Sequence, residues 1–253
     1  MFLAVDTDIL LFKAATSAEV EVDWGNDVFS LWTDLKDAKS HFKAQVDHIQ
    51  DKTGVEDAVF CLTDPKANFR KEVCPTYKGG RKKTRKPVGY VALVDWVKSN
   101  FPTFMKPTLE ADDAMGILAT LPENKGKCIV CSDDKDMLTV PSYLYRPTKD
   151  EQVIVSEEDA DRAFLTQTMV GDVTDSYGGI YGIGPKKAEA ILGSRPTWSI
   201  VEQAFIKAGM TRDDAIQQAR LARILRSTDY NFEKGEVILW EPPLASQCGT
   251  KTT

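Results

Sequence analysis

Three short apolar segments of the chain each run into an aspartate: FLAVD ends at Asp6, DAVFCLTD at Asp64 and KCIVCSDD at Asp134. Asp136 follows two residues after Asp134, LEADDAM holds Glu110, Asp112 and Asp113, and GDVTD holds Asp172 and Asp175. For any one of these residues, capping a helix or closing a turn is the commoner role. The set is a different matter. Nine carboxylates brought to one place cannot all ionise at short range without counter-charge. Other chemistry is poorly supplied. The two histidines, His41 and His48, lie among polar residues on an expected helix and read as solvated. Cys128 and Cys131 form a C-x-x-C inside an expected strand, where residues three apart point to opposite faces, so buried thiols are expected rather than a zinc or redox site. Hard divalent cations are the natural answer. Mg²⁺, or Mn²⁺ in its place, prefers carboxylate and water oxygens. Two such ions about 3.5–4 Å apart could clamp a phosphate, activating water and stabilising the leaving oxygen.

The net charge of −6 argues at first sight against a nucleic-acid partner, but the charge is unevenly spread. Residues 66–86, KANFRKEVCPTYKGGRKKTRK, hold nine Lys/Arg and one Glu. Phe69 and Tyr77 lie among these cations, and aromatics interleaved with cations can stack on bases while Arg70, Lys82 and Lys83 hold phosphates. Lys78 and Arg81, on either side of Gly79 and Gly80, could reach a scissile phosphate. A solvated charge run is the ordinary alternative. Just after Asp175 comes GGIYGIGPKKA, which resembles the glycine hairpin of helix–hairpin–helix DNA-binding elements. Gly182 and Gly184 would let the backbone approach a phosphate closely. Pro185 would then start a helix whose free N–H groups face the anion, with Lys186 and Lys187 adding charge.

The elements that must position these groups follow from periodicity. The three segments ending in aspartate read as strands, and helical patterns lie between them, at about Val28 to Asp51, after Pro87, and over ADDAMGILATL. Alternation of this kind implies an α/β fold with a mainly parallel central sheet flanked by helices. Ligand sites of such sheets lie at the carboxyl ends of the strands, where Asp6, Asp64 and Asp134 would meet. Glu110, Asp112 and Asp113 fall at a helix start, which tolerates acids. Asp172 and Asp175 are spaced to share one face of a helical turn. From Ser156 the chain turns helical, opening with a capping signature, Ser156 and Asp159. The expected organisation is an α/β catalytic core over 1–155, a helical DNA-binding region over 156–242 and a tail over 243–253. No segment is long and apolar enough to cross a membrane, and the first residues read as a strand rather than a signal peptide. An odd count of five cysteines fits a reducing compartment, with the cytoplasm as the expected location.

In order along the chain, VDTD, TDPKANFRKEVCPTYKGGRKKTRKPVGY, LEADDAMG, CSDDKDM, GDVTDSYGGIYGIGPKKA and ARILRSTDYNFEKGEVILWEP resemble the flap endonuclease / 5′-nuclease superfamily, and within it the stand-alone 5′→3′ exonucleases of podovirus phages. The resemblance implies that Asp6, Asp64, Glu110 and Asp112 hold a first metal. It places Asp134 between the metals and Asp136, Asp172 and Asp175 at the second, with Asp113 completing E-A-D-D. Lys78 and Arg81 match the basic pair of Y-K-x-x-R that assists at the scissile phosphate, and Tyr77 matches its aromatic. Residues 180–188 match a helix–three-turn–helix that grips duplex DNA, with a K⁺ ion among its backbone carbonyls. The implied enzyme is a two-Mg²⁺ 5′→3′ exonuclease acting as a monomer, in the infected cell, on duplex DNA with 5′ ends, nicks or flaps and on RNA/DNA primers. A 5′-flap endonuclease is the near alternative. A haloacid-dehalogenase-like phosphatase using D-T-D, and a non-catalytic DNA-binding module, are the distant ones.

Overall fold

A computed structural model of the chain describes residues 1–81 and 85–243. Its centre is a six-stranded sheet built on β1 (Phe2–Asp6). Helix α1 (Thr7–Ser17) follows β1 without a loop, and a hairpin of β2 (Glu19–Asp23) and β3 (Phe29–Thr33) leads to α2 (Leu35–Thr53). Then come β4 (Ala58–Cys61), the short α3 (Arg70–Val73), α4 (Tyr90–Asn100), β5 (Thr103–Phe104) and α5 (Ala111–Thr120). Strands β6 (Cys128–Cys131), β7 (Ser142–Arg146) and β8 (Glu151–Val155) complete the sheet, whose order is β5-β4-β1-β6-β7-β8. All pairings are parallel except that of the edge strand β8. Helices α6 (Glu157–Val170), α7 (Pro185–Leu192), α8 (Trp198–Lys207) and α9 (Arg212–Ala222) make the second half, and the small pair β9 (Tyr230–Asn231) and β10 (Glu236–Val237) closes it.

β1 is buried on both faces, as the apolar run FLAV requires of a central parallel strand. Leu3 and Val5 pack with α1, α2 and α4, whereas Ala4 packs on the opposite face with α5. Cys128 and Cys131 likewise fall on opposite faces of β6, both as buried free thiols. On the α2 side, Phe42, Phe60, Trp96 and Phe101 pack edge to face, with ring centroids 5.1 Å apart for Phe60 and Phe101. Truncating such a buried ring costs about 3–5 kcal/mol. The helical half has its own core of Phe164, Met169, Val201, Phe205 and Ala219, which also takes in Tyr77 from the basic segment.

The structure departs from the sequence reading in several places. The helix expected from about Val28 begins at Leu35, capped by the Asp34 carboxylate accepting the Lys36 N–H at 2.8 Å. Phe29–Thr33 is instead β3, because Gly25, Asn26 and Asp27 all take left-handed backbone and turn the chain back on β2. Strands β7 and β8 carry mixed polar and apolar residues at the sheet edge and gave no clean run to read. β4 and β6 stop at Cys61 and Cys131, so Asp64 and Asp134 stand three residues beyond their strands. Ser156 caps α6 as expected, accepting the Asp159 N–H at 3.1 Å. Among the described residues no helix is long and apolar enough to cross a membrane. The expected tail lies outside the described residues from position 244 onward.

Candidate active site

Asp6, Asp8, Glu110, Asp112, Asp134, Asp136 and Asp175 line one cleft of about 670 Å³ together with Lys78, Arg81, Tyr77 and Tyr177. The sheet explains how three of the acids arrive there. Asp6, Glu110 and Asp134 are each the residue immediately before a helix or a 3-10 turn, at the carboxyl edge of the sheet. All three have extended backbone and line the cleft, and the N–H ends behind them favour negative charge.

The carboxylates fall into two groups. Asp6, Asp8, Asp112 and Asp136 are crowded by burial and by one another. Burial, with Asp8 and Asp134 nearby, pushes Asp6 up to about 6. Burial raises Asp112 well above the carboxylate range, helped by Asp6 and Asp134, and raises Asp8 and Asp136 as well. Hydrogen bonds only partly relieve the group. The Ser132 hydroxyl donates to Asp6 at 3.1 Å and the Thr63 N–H to Asp8 at 3.2 Å, while Asp136 Oδ1 is buried with no hydrogen-bond partner among the described residues, Lys135 Nζ standing 3.7 Å away. The other group is paired with cations. Burial pushes Glu110 upward, but Arg70 and Lys78 hold it down at about 2. Lys78 bonds Glu110 and lies 3.7 Å from Asp175, Arg81 bonds Asp175, and Lys135 Nζ donates to Asp172 at 2.7 Å. As the side chains stand, no three acids, cysteines or histidines among the described residues close around a single point. Glu110, Asp172 and Asp175 are turned to these cations instead. An all-oxygen donor set that contains mutually repelling carboxylates and an unpartnered buried oxygen fits hard divalent cations.

Asp172 and Asp175 do not share a helical face. They sit in a closed turn, in which Asp172 and Tyr177 exchange backbone hydrogen bonds of 2.8 and 3.1 Å. Two glycines make the turn possible. A Cβ on Gly171 would lie 2.4 Å from the Gly179 nitrogen, and one on Gly179 would lie 2.4 Å from the Met169 oxygen. The segment around Lys78 is latched to this turn. The Lys78 N–H donates to the Asp175 carbonyl at 2.8 Å and the Gly80 N–H to the Ser176 hydroxyl at 2.9 Å. The basic pair and the last acids are thus two sides of one clasp, and Asp172, facing Lys135, is not part of the cleft wall.

Several expected site residues do other work. Asp64 lies between Thr63 and Pro65, which line the cleft, but its own carboxylate is turned to backbone donors. Its two oxygens accept the Lys66 and Thr108 N–H groups at 2.9 and 2.8 Å, which ties two loops together. Asp113 is fully buried, bonded to Arg70, to the Glu110 N–H and to the Leu225 N–H. Arg70, read as a phosphate contact, is 1% exposed and occupied by Asp113 and Glu110. Tyr77, read as a base-stacking ring, is buried against Tyr177, with its hydroxyl 2.9 Å from Glu110 and 3.0 Å from Asp175. Lys82 and Lys83 lie outside the described residues. Gly182 has left-handed backbone, whereas Gly184 does not, and a Cβ at either would meet nothing within 4 Å, so their faces are open. Lys186 and Lys187 are exposed, and Lys187 Nζ donates to the Gly182 carbonyl at 2.9 Å. Asp8 and Lys135 are the residues the sequence reading left out of the site. The signal for each was adjacency, in D-T-D and D-D-K-D.

The family model described as the 5′-3′ exonuclease N-terminal resolvase-like domain matches residues 3–167. The exonuclease of Escherichia phage T7 is 32% identical over 95% of this chain and 93% of its own length. The exodeoxyribonuclease of Enterobacteria phage T3 is 30% identical over 95% and 92%. Among solved structures, the D15 protein of phage T5, co-crystallised with metal ions, superposes with a TM-score of 0.64 at 16% identity over 90% of each chain, a likeness of fold. With its acids gathered at the carboxyl edge of a mainly parallel sheet and its matches to both phage proteins running nearly end to end, the chain belongs to the 5′-3′ exonuclease family.

Proposed function

We propose that this protein is a divalent-metal-dependent exonuclease that hydrolyses DNA from 5′ ends, a reading supported by the 5′-3′ exonuclease family model and by T7 and T3 relatives named exonuclease and exodeoxyribonuclease. The observation that carries the reading is the cleft itself, in which a group of carboxylates raised by burial and mutual repulsion lies beside Lys78 and Arg81, two cations held in place by acids. In this reading Asp6, Asp8, Asp112, Asp134 and Asp136 hold metal, joined by Glu110, Asp175 and Asp172 once their cations turn away. Bound divalent cations supply an activated water and neutralise charge on the leaving oxygen. Two Mg²⁺ ions match the number of acids. Lys78 and Arg81 exchange their carboxylate partners for the scissile phosphate and stabilise the charge that develops there. Tyr77, bonded to Glu110 and Asp175 at once, keeps those two acids in register while the cations move.

Residues 180–188 would grip the duplex through the open backbone at Gly182 and Gly184 and through Lys186 and Lys187. A K⁺ ion among the hairpin carbonyls belongs to the same proposal, and its binding would release Lys187 from Gly182. The core over 1–155 and the helical region over 156–242 then act as catalytic and DNA-gripping parts. The role that follows is degradation of DNA and removal of RNA primers during phage replication, by a monomer. Product analysis on a 5′-labelled nicked duplex beside a 5′-flap substrate tests the reading. Short 5′-terminal products from the nick support exonuclease action, and release of intact flaps alone would make the protein a flap endonuclease. A 3′-labelled duplex that loses its label first would end the 5′→3′ assignment.

A further inference from the structure

We propose that Arg70 is a positioning residue for this reaction: it aims the Glu110 carboxylate and links that aim to the seating of α9. The inference rests on the reading of Glu110 as a metal ligand. A guanidinium has five N–H donors, and in Arg70 all of them are used. Nε donates to the Leu221 carbonyl at 3.1 Å, and Nη1 donates to Glu110 Oε2 at 3.2 Å and to Asp113 Oδ2 at 2.8 Å. Nη2 donates to Asp113 Oδ1 at 2.7 Å and to the Arg223 carbonyl at 2.6 Å.

A clamp that merely joined two halves of a fold would need Asp113 and the two carbonyls. The fifth bond goes to the ligand. It fixes Oε2 of Glu110, which the Tyr77 hydroxyl also holds at 2.9 Å, and leaves Oε1 to Lys78 on the cleft side. Asp113 reinforces the arrangement by accepting the backbone N–H of Glu110 at 3.1 Å and of Leu225 at 3.2 Å. Leu221 belongs to α9, whose Ala215 and Ala219 pack in the helical core. A shift of α9 would therefore withdraw acceptors from Arg70 and loosen Glu110. Arg70 is thus one side chain that bonds at once to the Glu110 carboxylate and to the end of α9 in the helical half.

Arg70→Lys keeps the charge but has three donors, so at least two of the five acceptors lose their partner. The experiment is a double-mutant cycle of Arg70→Lys with Glu110→Gln in the full-length protein. Mn²⁺ binding to the DNA-free protein is read by calorimetry, and single-turnover cleavage is read beside DNA affinity in Ca²⁺. Loss of a group that orients a ligand typically costs about 10–100-fold in metal affinity or activity. Arg70→Lys should weaken Mn²⁺ binding by about 10-fold and slow cleavage by about 10–100-fold, with DNA affinity within about 2-fold of wild type. The double variant should bind Mn²⁺ no more weakly than Glu110→Gln alone. If Arg70→Lys does not purify folded, Asp113→Asn takes its place, since it loosens Arg70 without touching the Glu110 carboxylate. A variant that melts at lower temperature but binds Mn²⁺ like wild type would reduce Arg70 to a structural clamp and overturn the proposal. Additive effects of the two substitutions would overturn it too. If Glu110→Gln alone leaves Mn²⁺ binding unchanged, the fault lies with the ligand assignment, and the proposal falls with it.

Discussion

Two groups of carboxylates, one in the cleft and one at its border with the Asp172–Tyr177 turn, have the same chemistry and opposite surroundings. Asp6, Asp8, Asp112 and Asp136 are pushed toward protonation by burial and by one another. Glu110 and Asp172, drawn upward by burial, are held below the usual range by Arg70 and Lys78 in one case and Lys135 in the other. The contrast separates two ways of tolerating acids at a sheet edge. The second group is neutralised from within the chain, by cations that can later serve the substrate. In the first, Lys135 at 3.7 Å from Asp136 and the more distant Lys86 near Asp8 do not overcome burial and mutual repulsion, so an external cation is the natural remedy.

The sharpest way to break this comparison is to remove Asp134, the neighbour whose charge acts on Asp6, Asp112 and Asp136 at once. Asp134→Asn should slow single-turnover cleavage in Mg²⁺ by about 10³-fold or more, in line with the several kcal/mol a metal ion supplies. Chelation should abolish turnover of the wild type. Full turnover by Asp134→Asn would show that these acids do not hold the catalytic metal. Lys78→Ala and Arg81→Ala probe the compensated side. Each should slow the chemical step by about 10–10²-fold while leaving DNA affinity in Ca²⁺ nearly unchanged. Unchanged rates with weaker binding would make them phosphate anchors.

The two groups also predict opposite responses to pH in the metal-free protein. Asp6 binds its proton more tightly folded than unfolded, its pKa being raised from 3.8 to about 6. Stability should therefore rise as pH falls from 7 through about 6. Glu110 is lowered from 4.5 to about 2, so its contribution is present above the unfolded value and lost as pH falls toward 2. Melting temperatures in chelator should pass through a maximum between these limits, and saturating Mn²⁺ should flatten the neutral-side slope. A metal-free melting temperature that falls steadily from pH 7 to 5 would contradict the repulsion assigned to the first group. Outside the cleft, Lys186→Glu with Lys187→Glu should weaken duplex binding and flatten its salt dependence by about one unit of slope per lost phosphate contact, with cleavage partly restored at saturating enzyme. Asp64→Asn should have the smallest effect on rate, within about 3-fold, while costing about 1 kcal/mol of stability through its weakened loop bonds. A loss comparable to that of Asp134→Asn would return Asp64 to the metal site.

Sequence alone determined what depends on local pattern. Apolar runs ending in aspartate identified β1, β4 and β6 as strands of a mainly parallel sheet, in which the fold makes them neighbours, and Ser156 announced the cap of α6. The convergence of Asp6, Glu110, Asp112, Asp134 and Asp136 followed from one rule about strand and helix ends. Tertiary structure decided everything that depends on where a long side chain goes. Arg70 and Tyr77 stand in a basic, aromatic stretch that reads as DNA-facing, yet both are drawn inward, because a guanidinium and a phenol can satisfy buried acids that no local partner reaches. Asp113 and Asp64 each sit one residue from positions that line the cleft, and backbone N–H groups distant in sequence, those of Leu225 and Thr108, hold them instead. Spacing in the chain fixes which element a residue belongs to. Its role depends on which donors and acceptors the folded halves bring within about 3 Å of it, and those come from the other end of the sequence.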